Sequence, residues 1–205
     1  MTERATVPPE PLLLPDAAAW RAWLDEHEDT TPDGVWLVLA RKGQDAPTTL
    51  TRADALDEAL CSGWIDAQAK GRDDVTSLQR YCPRRARSIW SVRNRGIVTG
   101  LIEAGRMRPR GQAEIDRAKA DGRWEAAYAG PATMEVPPAM VRALAESPRA
   151  TAAWELLTSQ NRFAFLHRLA TVKKEETRER NAARFVAMLE RGETFYPQRR
   201  SIPRD

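Results

Sequence analysis

Nine arginines and one glutamate fall between Arg80 and Arg110, and no Asp or Glu occurs from Val75 to Ile102. Guanidinium groups offer planar forks of donors that match carboxylate and phosphate. A nearby tryptophan face adds a cation–π contact or stacks a flat ligand, at roughly 0.5–2 kcal/mol each. Asp66, Trp64, Arg80, Arg84, Arg85, Trp90 and Asn94 are therefore the expected surround of a cleft for a small anionic or aromatic molecule or a peptide. Trp36 and Lys42, from a strand upstream, complete the expected set. The arginines would act as anion clamps and the tryptophans as walls.

Two other uses of the same residues stay open. The arginines can pair with acids elsewhere and fix the halves of the chain together. They can also hold nucleic acid without sequence preference, with bases stacked on Trp64, Tyr81 or Trp90. No helix-turn-helix, zinc-finger or ribonucleoprotein pattern is present, so specific nucleic-acid reading is not expected.

Enzymatic chemistry would fall to few groups. Cys61 closes a helix beside Gly63 and Asp66, and a cation such as Arg80 or Arg84 would lower a thiol's pKa toward a nucleophile's. Otherwise Asp66 or Glu58 would act as general base, activating water against a substrate held by the arginines, as in a cofactor-free hydrolase. Against this, cysteine is among the most buried residue types, and Cys61 follows Leu60 on an apolar face. Cys61 and Cys82 are the two thiols and no CxxC occurs, while His27 and His167 stand in unrelated contexts. Neither a disulfide, a metal site nor a cofactor is expected.

The elements that must position these groups read as α+β. Asp16 caps a helix bearing Trp20, Trp23 and Leu24 on one face, and Val35–Lys42 is a strand. Thr51 caps a second helix that Gly63 stops, and WIDAQAK and VTSLQRY form a hairpin around GRDD. From Trp90 onward only helices are expected: 91–104, 110–121, 138–146, 148–157, 162–171 and 175–191. Apolar pairs Val141 with Leu144 and Trp154 with Leu157 mark buried faces, as does the stripe Phe185, Met188, Leu189. Ser159 is the expected cap of the fifth of these helices, and Trp124 a packing anchor. The expected architecture is thus helix-rich, a small antiparallel sheet in the amino-terminal half followed by an all-helical carboxy-terminal half. Its expected divisions are a flexible lead (1–15), an α+β module (16–128), a linker (129–138), a helical module packed on the first (139–197) and a frayed tail (198–205).

Composition agrees with a globular chain. The 205 residues are 42% hydrophobic and 30% charged, which argues against wholesale disorder, and no apolar run is long enough to span a membrane. The start, MTERATVPPEPLLLPD, lacks the pattern of a signal peptide, so a cytoplasmic location is expected. Net charge is only +3, but the arginine stretch alone is +8 and the remainder −5.

Three blocks, EALCSGWIDA (58–67), LQRYCPRRARSIWSVRN (78–94) and GRMRPRGQAEIDRAKADGRWEAAY (105–128), resemble the bacterial YdeI or OmpD-associated, bacteriocin-protection family. The closing segments VPPAMVRALAESPRATAAWELL and TRERNAARFVAMLERGE are similar to the same family, so the resemblance runs from about Trp36 onward. It implies a soluble bacterial protein of stress or antimicrobial resistance, and it carries no catalytic residue set.

Overall fold

The computed structural model describes residues 10–130, 134–199 and 202. They form two compact units, one running through Trp90 and then Asn94–Ala126, the other comprising Ser91–Arg93 and the residues from Ala127 on.

In the first unit, α1 (Ala17–His27) starts where Asp16 accepts a hydrogen bond from the Ala19 amide. β1 (Val35–Ala40) follows, then α2 (Arg52–Cys61), β2 (Trp64–Gly71) and β3 (Thr76–Pro83). Gly63 ends α2 with φ +71°, a left-handed conformation that a residue with a Cβ adopts only under strain. The sheet order is β1-β3-β2, all antiparallel: β3 is the central strand because the β2–β3 hairpin folds its second arm onto β1. Trp36 lies opposite Arg80 and Asp66 opposite Tyr81, with a bulge between Asp66 and Ala69. α3 (Val92–Glu103) and α4 (Pro109–Ala120) complete the helices of this half.

The centre of this unit is aromatic. Trp20, Trp64 and Tyr81 have no solvent exposure, and Trp20 meets Trp64 edge-on at 6.2 Å and Tyr81 at 5.9 Å. The Trp20 indole donates to the Ala55 carbonyl at 3.1 Å, which joins α1 to α2. Such ring pairs contribute about 1 kcal/mol each beyond burial of their area.

Expected and observed helices agree to within a few residues, and the structure adds detail at the edges. Residues 1–9 of the expected lead lie outside the described residues. Leu12 is tied down: its amide donates to the Trp36 carbonyl and its carbonyl accepts from Val38, at 2.8 and 3.0 Å, extending the sheet past β1. Leu12 and Leu14 are thereby partly buried, while Leu13 between them stays 48% exposed.

The second unit holds α5 (Pro138–Ala145), α6 (Pro148–Glu155), α7 (Ser159–Ala170) and α8 (Glu175–Glu190). Its core gathers Met140, Trp154, Phe165, Phe185 and Leu189. Thr158, not Ser159, caps α7, accepting from the Asn161 amide at 3.3 Å. Val141 faces solvent at 53% exposure, because the inward stripe of α5 is Met140 with Leu144. Residues 131–133 of the expected linker, and 200, 201 and 203–205 of the expected tail, lie outside the described residues. Gln198 is held, accepting from Asn161 at 2.9 Å and donating to the Leu156 carbonyl at 3.2 Å.

Candidate functional site

A cavity of about 670 Å³ opens in the first unit between the loop that follows β1 and the start of α2. Its lining includes Arg41, Lys42, Gln44, Asp45, Arg52 and Ala53. Local sequence explains how it forms. The Ala40 amide donates to the Leu50 carbonyl at 2.9 Å, so the chain leaving β1 returns beside its own end. At the tip, Gln44 donates back to the Arg41 carbonyl at 3.2 Å and Gly43 takes φ +74°. A turn with a positive φ at its third residue suits glycine and presents the second residue, Lys42, outward.

The threonines that line the cavity brace it. Thr48 donates to the Leu14 carbonyl at 2.6 Å and accepts from the Leu50 amide at 3.0 Å, and Thr49 donates to the Pro15 carbonyl at 3.1 Å. Thr51 caps α2 by accepting from the Asp54 amide at 3.2 Å and donates to the Asp54 carboxylate at 2.6 Å. The first amides of a helix have no acceptor within it, so the amides of Arg52 and Ala53 are available where both residues line the cavity.

Two of the three cations are held in place. The Arg41 Nε donates to the carbonyls of Asp73 and Thr76 at 3.1 and 3.0 Å, which leaves its terminal amino groups for another acceptor. The turn that accepts from Arg41 is itself fixed. The Thr76 hydroxyl, then the Thr76 and Val75 amides, bond the Asp73 carboxylate and hold its pKa below the ordinary range. Arg52 reaches the Asp66 carboxylate at 3.3 Å, and the Tyr81 hydroxyl donates to the Arg52 carbonyl at 3.4 Å. Lys42 has no ion-pair partner among the described residues. The lining carries three cations and one carboxylate, Asp45, with Asp66 pairing Arg52 from outside it, and the lining residues include neither histidine nor cysteine. The arrangement suits holding a carboxylate or phosphate, and it contains no nucleophile–base pair.

Of the residues expected from the sequence, Lys42 lines this cavity and Asp66 stands behind it through Arg52. Trp36 is 7% exposed on β1 with the Lys70 ammonium 5.0 Å from its ring centre. Trp64 lies in the core against Trp20 and Trp23. Arg80 donates to the Asp33 carbonyl. Arg84, 6% exposed, lies 3.7 Å from the centre of the Trp90 ring and donates to the Ile89 carbonyl at 3.3 Å. Trp90 meets Trp124 at 5.0 Å, so the two tryptophans expected to form one wall belong to separate aromatic groups. Arg85 is exposed, its amide donating to the Ser88 hydroxyl at 2.9 Å, and Asn94 is buried on α3. Cys61 has no solvent exposure, and burial, then the Glu58 charge, push its thiol pKa up, the direction opposite to nucleophile activation. Among the described residues no group of three or more His, Cys, Asp or Glu is placed to hold a metal.

Sequence reasoning missed Arg41 and Arg52. The signal was present as two basic residues in a glycine turn, ArgLysGly, followed ten residues on by the capped start of α2. It missed also what Glu58 does. That carboxylate accepts from Arg106 and Arg108 at 2.7 Å each, and Arg108 reaches Asp25 at 2.6 Å, so the α3–α4 loop is knotted to α1 and α2.

These features define a two-unit chain: an α+β unit with a small antiparallel sheet and a cation-rimmed cavity, and a unit of four helices. The chain belongs to the family described as Domain of unknown function (DUF8412), whose model matches residues 12–114. Residues 133–192 match a second family model, OmdA, described as Bacteriocin-protection, YdeI or OmpD-Associated. The family expected from the sequence is therefore met in the closing helices, while the blocks 58–67 and 78–94 fall inside the first match. Comparison with curated proteins and with solved structures found no match.

Proposed function

We propose that this chain is a bacteriocin-protection protein of the resistance-related kind, and that it works by binding a small anionic ligand, or an acidic group of a peptide, in the cavity at the start of α2. The protective role is supported by the OmdA match over residues 133–192. The observation that carries the binding role is the cavity itself, about 670 Å³ with Arg41, Lys42 and Arg52 on its rim against Asp45. That volume falls within the usual range of small-molecule sites. Arg52 supplies a fork for a carboxylate or phosphate, Lys42 a mobile point charge, and the α2 amides the positive end of a helix.

In this reading Asp66 is a positioning residue that aims Arg52, and the hydrolase use of Asp66 or Cys61 gives way because neither lines the cavity. Isothermal titration with benzoate and with inorganic phosphate tests the binding role. Binding that weakens about tenfold on Arg52→Ala or Lys42→Ala supports it, the scale expected for losing one charge-assisted contact. Equal affinity in wild type and variants would refute it. Survival of bacteriocin-challenged cells expressing wild type or the Lys42→Ala/Arg52→Ala protein tests whether binding and protection are one property.

A further inference from the structure

A second basic region of the first unit lies apart from the cavity. The half-buried Trp124 has the Arg95 guanidinium 5.0 Å and the Lys119 ammonium 5.4 Å from its ring centre. Its neighbour Arg123 donates to the Ser88 carbonyl at 2.7 Å, which brings the turn bearing Arg85 and Arg87 to the same place. Arg85, Arg87, Arg95 and Lys119 have no ion-pair partner among the described residues. Of the carboxylates close by in sequence, Asp121 is taken by Arg123 at 2.8 Å, and Glu125, next to Trp124 in the chain, is exposed. Trp90 backs the Trp124 ring edge-on at 5.0 Å, with Arg84 stacked on Trp90 in turn.

Two cations without an ion pair, Arg95 and Lys119, lie over the half-buried indole, and two more, Arg85 and Arg87, stand on the turn that Arg123 holds beside it; together they suit a partner with regularly spaced negative charge and flat rings. A compact anion would use one or two of the cations and not the ring. A duplex would use the charges and leave the ring idle, because its bases are already stacked on one another. We infer that this face binds single-stranded nucleic acid without sequence preference: phosphates lie on Arg85, Arg87, Arg95 and Lys119, and a base stacks against Trp124. Arg84 and Trp90 form the fixed backing that holds the indole in place. In this reading affinity is set by charge and stacking.

Four phosphate contacts on a single strand give a slope of log affinity against log salt of about −2.8, a loss of about 50-fold between roughly 50 and 200 mM salt. The test is fluorescence anisotropy with a labelled oligothymidylate, a duplex of the same length as control, and tryptophan emission recorded alongside. The expected result is single-strand binding with that salt slope, quenched tryptophan emission, and a slope shallower by about 1.4 in Arg85→Ala/Arg87→Ala. Those two side chains are exposed, so their removal leaves the fold intact. Trp124→Phe, which keeps a ring against Trp90, is expected to lose the quenching while keeping the salt slope. No oligonucleotide binding, equal binding of duplex, or an unchanged slope in the double variant would overturn the inference. So would binding of phosphatidylserine vesicles with the oligonucleotide ignored. Benzoate binding at the cavity is measured separately, so each reading stands or fails on its own.

Discussion

The Arg106–Glu58–Arg108 knot and the Arg41–Lys42–Arg52 rim are both clusters of cations in the same unit, and they differ in what faces them. In the knot, Glu58 is 9% exposed at its side chain and Arg108 12%, and both carboxylate oxygens are bonded. At the rim, Arg52 is 58% exposed with one pair to Asp66, Lys42 has no ion-pair partner among the described residues, and Asp45 is the single carboxylate among the lining residues. A cluster whose shared carboxylate is buried with both oxygens bonded serves the fold, even though Arg106 keeps 41% exposure. An open cluster with surplus charge does little for the fold and can serve a ligand. Pairing, not the density of arginines along the chain, separates the two.

Substitutions at the two clusters should therefore have opposite signatures. The largest effect is expected for Glu58→Ala, which leaves Arg108 and half-exposed Arg106 without their shared partner. About 3 kcal/mol of stability should be lost in urea denaturation, with benzoate affinity unchanged in the folded fraction. Arg52→Ala should do the reverse, changing stability by less than about 0.5 kcal/mol and weakening benzoate binding about tenfold by calorimetry. Asp66→Asn, which keeps the shape but removes the charge that aims Arg52, should weaken binding only about threefold, within the modest worth of an exposed ion pair. A loss as large as that of Arg52→Ala would mean that Asp66 touches the ligand itself.

The smallest effect concerns pH. The Asp73 carboxyl is lower in pKa in the folded chain than its ordinary 3.8, because Thr76 and Val75 bond its charged form. Its stabilisation of the turn that carries Arg41 is therefore fully present above the unfolded value and is lost as pH falls through the lower folded one. Asp73→Ala should thus differ from wild type near neutral pH and converge with it in strong acid, as followed by urea denaturation at each pH. A difference that grows toward low pH would contradict this reading of the turn.

Much of the fold was legible in the residues. Asp16 and Thr51 cap the helices they were expected to cap, Gly63 stops α2, and the hairpin around GlyArgAspAsp is present. Period and cap chemistry are local, so they survive without knowledge of tertiary structure. The site was less legible because charge pairing is not local. Glu58 and Arg108 are fifty residues apart, and nothing near Arg106 or Arg108 in the chain announces their partner. The tryptophans misled for a related reason: Trp64 and Trp90 flank the basic stretch in sequence, but each ring is enclosed in a different aromatic group. Lys42, which lines the cavity, follows a strand of clear pattern. Arg41 and Arg52 were passed over because a chain that returns to its own strand end, as Leu50 does at Ala40, is visible only when folded.

The central claim is that the open rim, not the arginine-rich stretch, holds the small ligand. Nitrogen-15 chemical-shift mapping during a benzoate titration tests it most directly. Saturable shifts of the amides from Arg41 to Ala53 are expected, abolished in Lys42→Ala/Arg52→Ala. Shifts confined to Arg84, Arg85 and Trp90, with the amides of the β1–α2 loop unmoved, would contradict it.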